Sequence, residues 1–138
     1  MSWDYCCPKC KTMLNPDRSV ILSMARDDTQ VLVGLHPQPG KYEVYLPPNV
    51  FTEDGTRWDF SCPMCKVALV TEEDENLCEL ELWVDAQPLK ILFSCIAGEH
   101  ATFILHETTV REKYGKDVAR YAPAARQDAP GRERSALG

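Results

Sequence analysis

Cys7-Pro8-Lys9-Cys10 and Cys62-Pro63-Met64-Cys65 repeat one pattern, C-P-x-C, in a chain of 138 residues. A two-residue gap sets both sulfurs of each tetrapeptide on the same side of a tight turn, so the two copies can surround a single tetrahedral metal ion with thiolates. Any fold open to the chain must then close residues 7–10 onto 62–65 across a long insert, 11–61. One Zn2+ is the expected cofactor, with iron the less favoured ion. Four thiolates leave no open coordination position, so the expected work of the ion is to staple the fold. Cys6 could also pair with Cys10 as C-x3-C. Pro8 after Cys7 matches Pro63 after Cys62, however, which assigns Cys7 as the ligand and Cys6 as a spare thiol, with exchange between them left open. Lys11 and Lys66 follow the knuckles where many such turns carry glycine to ease a left-handed backbone.

Between and beyond the knuckles the pattern is that of strands. Val20–Ala25 and Gln30–His36 flank a short polar loop and predict a β-hairpin. Tyr42–Leu46 alternates with period two as a third strand, closed by Pro47-Pro48, and Arg57–Phe60 leads into the second knuckle. Residues 71–76 are acidic and read as a solvated loop. Leu77 to Val84 alternates, with Cys78, Leu80, Leu82 and Val84 on one face. Leu89 to Ile96 follows with Cys95 beside Leu89, Ile91 and Phe93, and His100–His106 completes a three-stranded meander over 77–107. Thr109 with Glu112 fits a capping box, and Val110, Tyr114, Val118 and Tyr121 share one helical face, so a C-terminal helix is expected over 109–121, weakened by Gly115. The expected fold is mostly β: one zinc-binding domain, 1–122, of zinc-ribbon-like knuckles joined by antiparallel hairpins and the meander, ending in that helix and a disordered tail, 123–138. The flanks of the two knuckles differ too much to predict a duplication.

Composition narrows the partners. The formal charge of −6 falls to about −8 once four thiolates hold one Zn2+. An acidic chain disfavours nucleic-acid phosphates, which want a basic face. No apolar run approaches the roughly 18 residues of a membrane span. Seven cysteines, an odd count grouped as C-x-x-C pairs, suit metal ligation in a reducing cytoplasm better than a secreted disulfide framework. Cys78 and Cys95 fall on apolar faces as small core residues. Cys95, Glu99 and His100 are the candidates for catalysis: Gly98-Glu99-His100 is a turn presenting a carboxylate beside an imidazole, and Trp3 and Tyr5 could cover one side of the metal site.

The paired knuckles resemble the zinc-ribbon and rubredoxin-like class of zinc-binding folds, without the glycines usual in the iron-binding members. In size, and in Cys7, Cys10, Cys62, Cys65 and the aromatic lead-in Trp58-Asp59-Phe60, the chain also resembles the small zinc-bearing subunit of ATP-dependent ketone carboxylases of the acetone and acetophenone type. That resemblance implies a structural subunit that helps assemble larger catalytic chains and has no active site of its own. The expected function is accordingly a zinc-binding accessory subunit or interaction module partnered by larger protein subunits. The alternatives are a small enzyme working through Cys95, Glu99 and His100, or a zinc-ribbon regulator that binds nucleic acid.

Overall fold

The computed structural model describes residues 3–72, 74–107 and 109–121. Two antiparallel sheets carry almost all of its regular structure. Strands β1 (Trp3–Cys6), β6 (Val70–Thr71), β7 (Asp74–Val84), β8 (Gln87–Ser94), β9 (Thr102–His106) and β10 (Thr109–Tyr114) make the larger one, in the order β1-β7-β8-β9-β10 with β6 also on β7. β2 (Val20–Arg26), β3 (Thr29–Leu35), β4 (Val44–Tyr45) and β5 (Asp59–Ser61) make the smaller, in the order β4-β3-β2-β5. β7 is long enough to pair with β1 through Glu81–Val84 and with β6 through Asp74 and Cys78 on the same edge.

Turn chemistry explains the hairpins. Val84 pairs with Gln87, leaving Asp85 (φ 50°) and Ala86 (φ 67°) as the two central residues. Positive φ at both positions is the type I′ geometry whose twist matches the flanking strands. Arg26 opposite Thr29 sets the same two-residue connection between β2 and β3, with Asp27 at φ 54°.

Period-two alternation then decides what is buried. Leu22, Met24 and Val33 of the smaller sheet meet Leu80, Leu82, Ile91 and Ile104 of the larger in one core between the sheets. The other face of the larger sheet holds a second core of Leu77, Leu92, Phe103, Leu105, Val110 and Tyr121. Ile91 and Leu92, neighbours pointing to opposite faces, therefore serve different cores.

The structure corrects the expected C-terminal helix. Residues 109–114 extend the meander as a further strand against β9, with a register shift between Val110 and Glu112, and the only helical piece among the described residues is a 3-10 turn at Val118–Arg120. Val110 and Tyr121 are buried as the helical pattern anticipated, but on the back of the sheet, while Tyr114 packs against the core between the sheets. Pairing won over the local pattern because β9 would otherwise present an open edge. Gly115, read as a weak point in a helix, sits at φ 104° directly after β10. A Cβ there would lie 2.2 Å from the His100 carbonyl oxygen, so Gly115→Ala is expected to cost about 2 kcal/mol or more in a denaturant titration.

The acidic run is also more ordered than expected. Thr71 belongs to β6 and residues from Asp74 onward to β7, where the Arg57 guanidinium donates to the Glu75 carbonyl at 2.8 and 3.0 Å. The expected tail, 123–138, lies outside the described residues.

Candidate metal centre

Each knuckle is the tip of a small hairpin, and the two hairpins are built alike. In the first, the Cys7 N–H donates to the Thr12 carbonyl and the Lys11 N–H to the Cys7 carbonyl, both at 3.0 Å. In the second, the Cys62 N–H donates to Val67 and the Lys66 N–H to Cys62, again at 3.0 Å. The arms close through Cys6 opposite Met13 and Ser61 opposite Ala68. Leu14 N–H donates to Tyr5 at 2.7 Å, and Leu69 N–H to Phe60 at 2.9 Å. The same ten-residue unit thus occurs twice in backbone geometry, which the dissimilar flanking side chains concealed. Sequence reading recovered its cysteines, prolines and lysines but not the repeated hairpin.

The repeated unit also prepares the sulfurs. Cys7 Sγ accepts from the N–H groups of Lys9 (3.4 Å) and Cys10 (3.5 Å), and Cys62 Sγ from those of Met64 (3.3 Å) and Cys65 (3.4 Å). Amide hydrogens aimed at sulfur favour the thiolate, the form that binds metal. Cys7 and Cys62 are fully buried, whereas Cys10 and Cys65 face outward. Burial pushes the Cys7 thiol up to about 11, and the Thr12 hydroxyl, 3.1 Å from Cys10 Sγ, pulls that thiol down to about 6.

All four sulfurs lie within 4.8 Å of one another, with Cys7 to Cys65 at 3.7 Å and Cys10 to Cys62 at 3.8 Å. A tetrahedron with metal–sulfur bonds of about 2.3 Å has edges of about 3.8 Å, so the four-cysteine cluster could hold a metal ion with little rearrangement. Cys6 stands outside the cluster, on β1 opposite Glu81. Tyr5 turns into the core, its hydroxyl donating to the Pro37 carbonyl at 2.5 Å.

Topology gives the cluster its mechanical meaning. Cys7 follows β1 of the larger sheet, and Cys62 follows β5 of the smaller. Sulfurs from strands of different sheets thus meet at one point. Lys11 and Lys66, at φ 64° and 68°, occupy the left-handed positions where glycine is usual. Among the described residues the Lys66 ammonium reaches only the Pro63 carbonyl (3.0 Å), while that of Lys11 pairs with Glu81 (2.8 Å). Relief of left-handed strain should outweigh the entropy cost of glycine at the less engaged site. Lys66→Gly is therefore expected to stabilise the folded chain by about 0.5–1 kcal/mol in urea unfolding at fixed metal content.

The structure places the catalytic candidates on one wall of a cavity but engages two of the three elsewhere. Cys95 is bonded to Cys78 as a disulfide, where the sequence reading had two separate core thiols. Glu99 contacts the hydroxyls of Ser94 and Tyr121 and pairs with Arg120 at 3.1 Å. His100 stacks on Tyr42, ring centroids 4.2 Å apart and planes 1° from parallel. One signal could have revealed the disulfide. The two-residue turn at Asp85-Ala86 sets Cys78 opposite Phe93, which makes Cys95 a diagonal neighbour within reach of Cys78. Thiol titration of the denatured, metal-free chain should find the five free cysteines Cys6, Cys7, Cys10, Cys62 and Cys65 before reduction, and all seven after it.

No helix among the described residues is long and apolar enough to cross a membrane. Against known families, characterised proteins and solved structures the chain shows no significant match.

Proposed function

We propose that the protein is a structural zinc protein, acting as an accessory subunit or interaction module of a larger enzyme assembly. The observation that carries this reading is the grouping of the Cys7, Cys10, Cys62 and Cys65 sulfurs within 4.8 Å of one another. Thiolate sulfur in a closed tetrahedral set suits Zn2+, and a closed set supports architecture rather than turnover. By joining β1 to β5, the ion holds the two sheets in register at the end where the knuckles lie.

A subunit role draws support from the surface. Leu32, Val44, Tyr45 and Phe51 are exposed, Phe51 by 85%. Val44 and Tyr45 form β4, the edge strand of the smaller sheet. Unpaired edges beside apolar side chains are where partner chains add. The resemblance of the knuckles and of Trp58-Asp59-Phe60 points to an ATP-dependent ketone carboxylase as the kind of assembly served.

Native mass spectrometry of the protein captured from its source cells tests the whole reading. One zinc per chain and co-purifying larger chains are expected, with both lost in Cys62→Ser. A metal-free chain, or an intact complex containing the Cys62→Ser variant, would refute it.

A further inference from the structure

Between the two sheets, without contact to the metal-site cysteines, part of the core is not filled. A cavity of about 210 Å³ opens there. Its floor is apolar, built by Met24, Val33, Trp58, Phe60, Leu80 and Phe93. None of Cys7, Cys10, Cys62 and Cys65 lines it. An apolar cavity of about 150 Å³ is already large enough to take up benzene in place of water. Here the space would admit a ring with a substituent.

One polar group on the wall is held in place yet free to bind. The His100 ring is fixed by its stack on Tyr42, whose hydroxyl is anchored to Thr102 Oγ1 (2.9 Å) and to the Tyr114 carbonyl (3.2 Å). The His100 backbone N–H donates to Asp117 at 2.9 Å. Among the described residues neither ring nitrogen of His100 has a hydrogen-bond partner, although the residue is only partly exposed. Of the other polar side chains on the lining, Tyr5 is engaged by Pro37, Trp58 Nε1 by Thr56, His36 by the Gln38 N–H and Glu43, and Glu99 by Ser94, Tyr121 and Arg120, while Gln38 and Lys41 are exposed to solvent and Thr52 is partly exposed. An apolar floor with a few polar groups at its edge is the usual makeup of a small-molecule site, and His100 is the partly buried one whose ring nitrogens stand open here.

We propose that this cavity binds a small uncharged aromatic molecule carrying a single oxygen substituent, the ring packed among Met24, Trp58 and Phe93 and the oxygen hydrogen-bonded to the His100 imidazole. A charged ligand is disfavoured because the apolar floor offers nothing to replace its hydration, and the ammonium on the lining, Lys41, is exposed and strongly hydrated itself. The site is separate from the metal cluster and does not depend on it for a ligating group.

Phenol, toluene and benzoate, titrated into the metal-loaded full chain, test the proposal, with the Met24 methyl and the Trp58 indole observed by NMR. Phenol is expected to shift both signals saturably and to bind about tenfold more tightly than toluene, the worth of one hydrogen bond. Benzoate should bind far more weakly than phenol. His100→Phe, which keeps a ring against Tyr42 but removes the nitrogens, should erase the preference of phenol over toluene. Val33→Phe, which fills the floor, should abolish binding of both. Metal content and signal dispersion report the folding of each variant, and the wild-type titration decides the matter even if a variant fails to fold. Unmoved Met24 and Trp58 signals at saturating phenol, benzoate binding equal to phenol, or a phenol preference that survives in folded His100→Phe would overturn the proposal.

Discussion

Removal of the bound ion by a strong chelator is expected to lower the thermal midpoint by at least about 15 °C, with restoration on adding back one equivalent of zinc. Apparent zinc-binding free energies of about 10–16 kcal/mol in isolated knuckle peptides set the upper scale. This chain has its own cores, so a smaller share, about 5 kcal/mol, should reside in the ion; at roughly 4 °C per kcal/mol for a domain of this size the midpoint shift follows. The reason is topological: among the described residues the cysteines of the two knuckles meet only through the sulfur contacts of Cys7 with Cys65 and of Cys10 with Cys62, which the ion would replace with four metal–sulfur bonds. Cys62→Ser should reproduce most of the loss, because Cys62 is buried and a hydroxyl there is a poor ligand. Acid should act in the same direction, since protons compete with the metal for each thiolate and affinity falls as pH falls. Differential scanning calorimetry with metal analysis at each step checks all three. A chelated, metal-free chain that melts at the original midpoint would remove the structural role.

Phe103→Ala is expected to cost about 3–5 kcal/mol, the range for emptying a fully buried aromatic site. Phe103 is 0% exposed and lies in the core behind the larger sheet. Its ring meets the Tyr121 ring edge-on, with centroids 6.3 Å apart. That core is small and is closed from outside by the segment after β10, so little can collapse into the space vacated. Urea unfolding followed by tryptophan fluorescence would measure the loss, and a cost below about 1 kcal/mol would show that the back face contributes little. The metal content of Phe103→Ala should stay at one per chain, because Phe103 and the cysteine cluster lie on opposite faces of the larger sheet.

Local patterns made much of this molecule legible. The hairpin of Val20–Arg26 with Thr29–Leu35 is there, as is the face that joins Cys78, Leu80 and Leu82. Period-two alternation needs only that one side of a strand meet a core, and it survives whichever core that is. The segment 109–121 shows the limit. Val110, Val118 and Tyr121 suit a helical stripe, yet the same residues reach the back core from a strand and a 3-10 turn. Spacing on one short segment cannot register the open edge of β9 waiting beside it. Cys78 and Cys95 make the same point in miniature: apolar company placed both in the core, but their bond depends on strand register across a turn.

From its residues alone the chain determined the cysteine pairs, the left-handed lysines that follow them, and an antiparallel, mostly β fold, because each of these is written within a few consecutive positions. Only the tertiary structure decided that the two knuckles are one hairpin used twice, that their sulfurs come from different sheets, and that a cavity with an unpaired imidazole lies between those sheets. These depend on which distant surfaces meet, and that is set by burying two faces of one sheet at once.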